Sequence, residues 1–547
     1  MIARQANWFD LSRRVFLQRL SGMAALLTLP EWANAAPGAM ELTLRVSPFT
    51  LGVASGSPTA DGFVLWTRLV GEEIPADKPV RVVWELFDGE DPTHMVTRGQ
   101  TVAVPELAHS VHVEVNGLTP DRWYGYRFRV GGQVSGEGRA RTLPSTGAGM
   151  PGRLRFAYAS CQHWEHGHYA AYRHMLDDQL DFVLFVGDYI YEYASSASSI
   201  IVRQHRLPVA RTLADYRARY AVCKSDPWLQ RMHAHCPWLL TWDDHEVEND
   251  YIGTRSIYGT ENFPAMRAQA YQAYYEHMPL RASTLVEGVK GLVRGAELRI
   301  YDRCEWGDLA TFHVLDNRQY RDAPICREGF GAPMKAICVP PDPKRTLLGQ
   351  AQEHWLEEGI GQCARQKKPW NILVQQTRFT PANYPDGPGV NASVDRWDSF
   401  PEARQKILDA LVRHKPGNTL LIGGDLHQNW VARVHRDPYD VNSPVIGSEF
   451  TGTSISTHMG RKRESAEQEA TRNPHCLLSD PTRRGYGLVE LTPNRAEVDL
   501  RVLADVRDPE SGISTLARFV VEDGKPMQRV EVTGQENENA YPVAFIA

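Results

Sequence analysis

Residues 182–191, FVLFVGDYIY, decide how the chain is read. Phe182 to Val186 is a continuous apolar run, as expected for a strand covered on both faces. It ends at once in Gly187-Asp188, with Tyr191 three residues on. Similar runs are Trp238–Trp242, Phe312–Leu315, Ile372–Val374 and Thr419–Ile422, and Leu154–Ala159 reads as a further strand. Between them, Tyr169, Tyr172, Leu176 and Leu180 have helical spacing. The pattern predicts an α/β domain with a largely buried sheet over residues 153–530. Later runs, Val445–Phe450, Gly487–Leu491 and Ala496–Leu503, are expected to continue it as a second sheet. Residues 531–547 read as a C-terminal tail.

Upstream, residues 42–145 read as all-β. Phe63–Trp66, Val80–Leu86 and Val111–Val115 are short runs with turn residues between them. Leu118-Thr119-Pro120, followed by Tyr124, Tyr126 and Phe128, looks like the corner and adjoining strand of a fibronectin-III-like sandwich. Pro144–Gly152 is a linker rich in Pro and Gly. Residues 1–35 carry Arg13-Arg14, an apolar stretch from Leu20 to Leu29 and a small-residue cleavage site, Ala33-Asn34-Ala35. That order resembles a twin-arginine export signal, which implies passage through the twin-arginine machinery to the periplasm or exterior.

The whole chain has 547 residues, 42% hydrophobic and 23% charged, which excludes a disordered chain, a collagen and a coiled coil. Its formal charge is −6, and without the leader it becomes −8. There is no basic surplus of the kind a stable nucleic-acid complex needs. No apolar run reaches the ~18 residues that span a bilayer. Eight cysteines form no C-x-x-C pair, so a zinc ribbon is not expected. Cys326 and Cys338 flank a Gly/Pro-containing loop and are a candidate disulfide in an exported protein.

The chemistry lies at the strand ends, where open α/β sheets gather ligands. The runs end in Ser160-Cys161-Gln162-His163, Gly187-Asp188, Asp243-Asp244-His245, Asp316-Asn317-Arg318, Gln375-Gln376 and Gly423-Gly424-Asp425-Leu426-His427. Each alone is a common turn or helix cap. Together they bring Cys161, Asp188, Tyr191, Asp244, Asp425 and His427 to one rim. So many carboxylates repel one another unless one or two multivalent cations sit among them. Thiolate and phenolate are strong donors to a transition ion such as iron. Carboxylates and amides suit a hard ion such as calcium. For Cys161 the alternative is a small buried hydrophobe.

GDYIY fits the GDxxY motif of purple acid phosphatases, in which the Asp bridges two metals and the Tyr binds ferric iron. ASCQ, GDYIYEY, WDDHEVEND, LDNRQYR and GGDLHQ, with the upstream FTLGVASGSPTADGFVLWTRL, together resemble the alkaline phosphatase D (PhoD-like) family. The likeness covers nearly everything from residue ~42 onward. It implies an α/β metallophosphoesterase domain, a layered α/β/β/α sheet sandwich, preceded by the all-β module. It also implies phosphomonoesterase and phosphodiesterase activity with Fe3+ and one or two Ca2+. Carried onto this chain, Cys161, Asp188, Tyr191 and His427 hold the iron. Asp188 bridges to the second metal, Asp244 and Asp425 complete that site, and Asn249 is a further ligand. One departure stands out: many two-metal phosphoesterases place a His where this chain has Gln375-Gln376.

Two cations ~3.5–4 Å apart would clamp the phosphoryl group of a small phosphate ester and activate a water. His245 either protonates the leaving alkoxide, holds the phosphate or orders Asp244. Arg318 either neutralises the anion or pairs within the fold. His163, His166 and His168 line the cleft or lie on the surface. A nuclease or phospholipase on the same centre, and an exported metal-holding binding protein without catalysis, are the competing readings. A monomer is expected.

Overall fold

The computed structural model describes residues 39–530, apart from 90, 197–199, 285–297, 326–338, 341, 383–394, 459 and 461–462. The proposed leader, the Cys326–Cys338 pair and the tail beyond 530 lie outside the described residues.

Two large sheets organise the chain. The first has ten strands, and its centre is the parallel set Leu154–Ala159, Phe182–Val186 and Trp238–Thr241. The second has seven, built on the parallel set Ala310–Val314, Trp370–Val374, Asn418–Gly423 and Val445–Thr451. Side chains alternate between faces along each strand. In the first sheet, Val183 and Phe185 pack with the helices Leu213–Lys224, Pro227–His235 and Phe263–His277. Phe182, Leu184 and Val186 instead share a core with Ile372, Val374, Leu420 and Ile422 of the second sheet. Leu373 and Leu421, on that sheet's other face, pack with the helices Gln350–Arg365 and Pro401–His414. Phe156, Phe182 and Phe312 join the two sheets, with ring centroids 5.2–5.3 Å apart. Both faces of Phe182–Val186 are therefore covered, which is why its apolar run has no gaps.

The late strands divide differently from the expected single second sheet. Val445–Thr451 joins the second sheet, but Gly485–Thr492 pairs antiparallel with Leu154–Ala159 and extends the first, followed by Arg495–Leu503 and Ile513–Glu522. Antiparallel hairpins can add to the free edge of a parallel set without a crossover, and only the pairing partner decides which sheet receives them.

The N-terminal segment is also divided. Val80–Asp88, Met95–Ala103 and Trp123–Val130 belong to a five-stranded antiparallel sheet. Val53–Thr59, Gly62–Arg68 and Ser110–Val115 join the ten-stranded sheet, through a parallel contact of Gly56 with Trp238. A Cβ at Gly56 would lie 2.7–2.9 Å from Pro279 and the Trp238 carbonyl, so this close approach requires glycine. The sequence linker at 144–152 thus separates two regions that share a sheet. Near Tyr124, where the sequence suggests a corner, the hydroxyl donates to the Thr119 carbonyl at 3.3 Å and accepts from the Thr119 N–H at 3.1 Å.

Among the described residues, no helix is long and apolar enough to cross a membrane, and Cys161, Cys223, Cys236, Cys304, Cys363 and Cys476 are free thiols.

Candidate metal centre

The parallel strands of both sheets end at one rim. Thr241 Oγ1 donates to the Leu315 carbonyl at 2.9 Å, and Gln376 Nε2 donates to both at 2.7 and 2.8 Å. Gln375 Oε1 accepts from the Trp397 indole at 2.9 Å. The two glutamines that stand where many relatives in chemistry have a His therefore brace the strand ends.

Tight turns carry the chain out of these strands. Cys161, Asp188, Asp425 and His427 all have left-handed backbone angles, φ 53–62°. Such strain costs about 1–3 kcal/mol per non-glycine residue and concentrates at functional sites. Between strand and ligand, Gly187 has φ 103°, and a Cβ there would lie 2.5 Å from Asp243.

These turns bring sequence-distant groups together. Candidate ligand atoms of Cys161, Asp188 and His427 lie within 4.8 Å of one another, as do those of Asp188, Asp244 and His245. Asp188 belongs to both groups. The Tyr191 hydroxyl donates to Asp188 Oδ2 at 2.9 Å and lies 3.1 Å from His427 Nε2. Asp188 Oδ1 is buried and has no hydrogen-bond partner. An enclosed carboxylate oxygen left unpaired is costly, and a cation would satisfy it. Burial, then the neighbouring Asp188, pushes the Cys161 thiol and the Tyr191 phenol well above their ordinary values. Asp188 itself is raised by burial. In this arrangement the donors become anionic when a cation offsets their desolvation. Charge, donor types and proximity all fit metal ions.

His245 is fixed by Glu192, whose Oε2 lies 2.7 Å from Nδ1. Burial opposes its protonation, but Glu192, Asp188 and Asp244 together lift it well above the usual histidine range. Its ring lies 4.2 Å from that of Tyr191. Arg318 is enclosed by acids: it pairs with Asp243 and Asp395, reaches Asp425 at 3.3 Å and lies 3.8 Å from Asp244. Asp425 also accepts from Thr377 Oγ1 at 2.7 Å and Arg396 Nε at 3.1 Å. It lies outside the compact ligand groups. Asn249 Oδ1 accepts from the Tyr193 hydroxyl and its Nδ2 donates to the Tyr258 hydroxyl, both at 3.0 Å. His163 is buried, stacked on His166 with centroids 3.8 Å apart and tilted by 43° against Tyr191 at 4.4 Å, whereas His168 is half-buried and its backbone N–H goes to the Val506 carbonyl.

Sequence reading passed over several groups. Asp250 and Asp395 form a third compact acidic group with Asp244. Glu246 accepts the backbone N–H groups of Asp188, Tyr189 and Asp243 at 2.6–3.2 Å, and burial raises it to about 7. Thr457 Oγ1 contacts the Cys161 carbonyl and the Tyr191 hydroxyl at 2.6 and 2.8 Å. Arg484 binds the His427 carbonyl. Glu192, Glu246 and Asp250 stand inside quoted motifs, so an acid count there would have flagged them. Asp395, Thr457 and Arg484 stand in segments without any motif.

The PhoD-like phosphatase family model matches residues 156–500, and the model of the PhoD-like phosphatase N-terminal domain matches residues 34–144. Alkaline phosphatase D of Bacillus subtilis (strain 168) is 39% identical over 544 residues, 97% of this chain and 90% of that protein. A solved structure of PhoD superposes with TM-score 0.80 at 39% identity, over 90% of this chain and 94% of that one. On the strength of both sequence and geometry, the chain belongs to the PhoD-like phosphatase family and is a phosphoester hydrolase.

Proposed function

We propose that the enzyme hydrolyses phosphate monoesters and diesters at a two-metal centre bridged by Asp188. The single observation that carries this is that Asp188 is shared by both ligand groups while its Oδ1 is enclosed and unpartnered. Cys161, Asp188, Tyr191 and His427 would hold Fe3+. Asp188, Asp244, Asp425 and Asn249 would hold Ca2+, and Asp250 and Asp395 beside Asp244 would offer a place for a second Ca2+. The Asn249 carbonyl oxygen, already accepting from Tyr193, keeps a lone pair for this. When bound, the cations supply positive charge to the phosphoryl oxygens and acidify water.

The chain's own groups do the rest. His245, oriented through Glu192, delivers a proton to the leaving alkoxide. Arg318 spends its charge on four carboxylates and so holds Asp244 and Asp425 in place. Cys161 and Tyr191 must lose protons to bind an ion, so metal affinity rises with pH. The scaffold is read as α/β/β/α layers over 153–530 behind a fibronectin-III-like module, 42–145. Residues 1–35 direct twin-arginine export to the periplasm or exterior, and the chain acts as a monomer on small esters.

Elemental analysis of the exported protein, beside assays of a mono-ester and a bis-ester with and without chelator, tests the reading. The expected result is iron and calcium together, chelator-sensitive hydrolysis of both esters, and a tyrosinate-to-iron colour that Tyr191→Phe bleaches. A colourless, iron-free and fully active protein contradicts the iron assignment.

A further inference from the structure

Tyr193 and Tyr258 are 41% and 54% exposed, unusual for large rings among the described residues. Single exposed aromatics need no explanation. These two are coupled: one amide, that of Asn249, binds both hydroxyls at 3.0 Å. The Asn249 N–H in turn donates to Glu192 Oε1 at 2.9 Å, and the other oxygen of that carboxylate holds His245. The Tyr193 ring lies 5.1 Å from the His245 ring, inclined at 70°. One carboxylate thus fixes both the imidazole and, through the backbone N–H, the asparagine whose amide holds the two hydroxyls; of the two rings, that of Tyr193 lies beside the imidazole.

We propose that Tyr193 and Tyr258, tied through Asn249, form a platform that stacks the organic group of the ester. The enzyme then favours esters carrying an aromatic or other flat-faced group over those carrying a small aliphatic one. This deepens the phosphatase reading and rests on the centre beside His245 being where phosphate binds. Rings whose hydroxyls are already anchored lose little freedom when a ligand stacks on them. Stacking an aromatic ligand on such a ring is worth roughly tenfold in affinity.

The test is calorimetric titration of the metal-loaded protein with inorganic phosphate, methylphosphonate, cyclohexylphosphonate and phenylphosphonate. Their stable bonds remove leaving-group effects. Phenylphosphonate is expected to bind about tenfold more tightly than methylphosphonate, with cyclohexylphosphonate between them. In Tyr193→Leu and Tyr258→Leu, that ratio falls to about twofold, each phosphonate affinity being referred to inorganic phosphate bound by the same variant. Equal affinities for the phosphonates, or an unchanged ratio in both variants, overturns the platform while leaving the centre intact. Failure of inorganic phosphate to bind the wild-type protein overturns the centre, and the platform with it.

Discussion

The rim has two sides that handle buried negative charge in opposite ways. On one side, Cys161, Asp188 and Tyr191 have no ion pair to a lysine or arginine among the described residues, and Asp188 Oδ1 is unpartnered. On the other, Asp243, Asp244, Asp395 and Asp425 surround Arg318, with Arg321 and Arg396 adding charge to Asp395 and Asp425. Against their burial, Arg318 with Arg321 pulls Asp395 well below the usual carboxylate range, and Arg318 with His245 lowers Asp244; burial still raises Asp243 despite Arg318, as it raises Asp188. The first side is incomplete without an added cation. The second carries its own. A shared rim can therefore combine a tightly demanded ion with a more loosely demanded one.

Substitutions that exchange these properties sharpen the contrast. The largest effect is expected for Asp188→Asn, which removes the charge common to both ligand groups. Turnover falls by more than about a thousandfold while the circular dichroism spectrum is kept. Full activity in that variant removes the bridging role. On the self-neutralised side, Arg318→Met leaves buried Asp243 and Asp244 without an arginine, while Asp395 keeps Arg321 and Asp425 keeps Arg396. It should cost about 3–5 kcal/mol in chemical denaturation; a loss below 1 kcal/mol would mean that the acids are already neutral. Glu192→Gln keeps the shape but withdraws the charge that orients His245. It is expected to lower kcat about ten- to hundredfold with KM little changed, and an equal rise in KM would instead assign Glu192 to substrate binding.

The smallest effect concerns a buried charge away from the rim. Lys224 is fully buried, its Nζ has no hydrogen-bond partner, and it lies 4.2 Å from the Trp66 ring centroid. Burial lowers it from 10.5 to about 7. The unfolded chain therefore binds the extra proton between about pH 7 and 10.5. The destabilisation is full below pH 7 and fades as pH rises through that window. Lys224→Met should gain about 1–2 kcal/mol at pH 7 and none at pH 10.5. A pH-independent gain would point to packing alone.

Much of this was legible in the sequence because the runs at 182–186, 238–242, 372–374 and 419–422 are covered on both faces, and that leaves a largely apolar signature. The sharing of a sheet between the N-terminal strands and the rest left no such mark. It rests on one parallel contact between Gly56 and Trp238, far apart in the chain. The late hairpin strands carried the right pattern, but their pattern does not name a partner. At the site, Cys161, Asp188, Tyr191, Asp244, His245 and His427 were readable because each follows a buried strand closely. Glu192 and Glu246 sat in plain view within the same motifs, yet their work is to hold other groups, which spacing does not reveal. Asp395, Thr457 and Arg484 arrive on loops that only the closed fold brings to the rim.

The central claim is that Asp188 joins two metal sites. Anomalous-difference maps of crystals of the metal-loaded protein, collected on both sides of the iron absorption edge, address it directly. The account predicts an iron peak among Cys161 Sγ, Tyr191 Oη, His427 Nε2 and Asp188, with a second cation between Asp188 and Asp244. Cations bound elsewhere, with Asp188 contacting none of them, would contradict it.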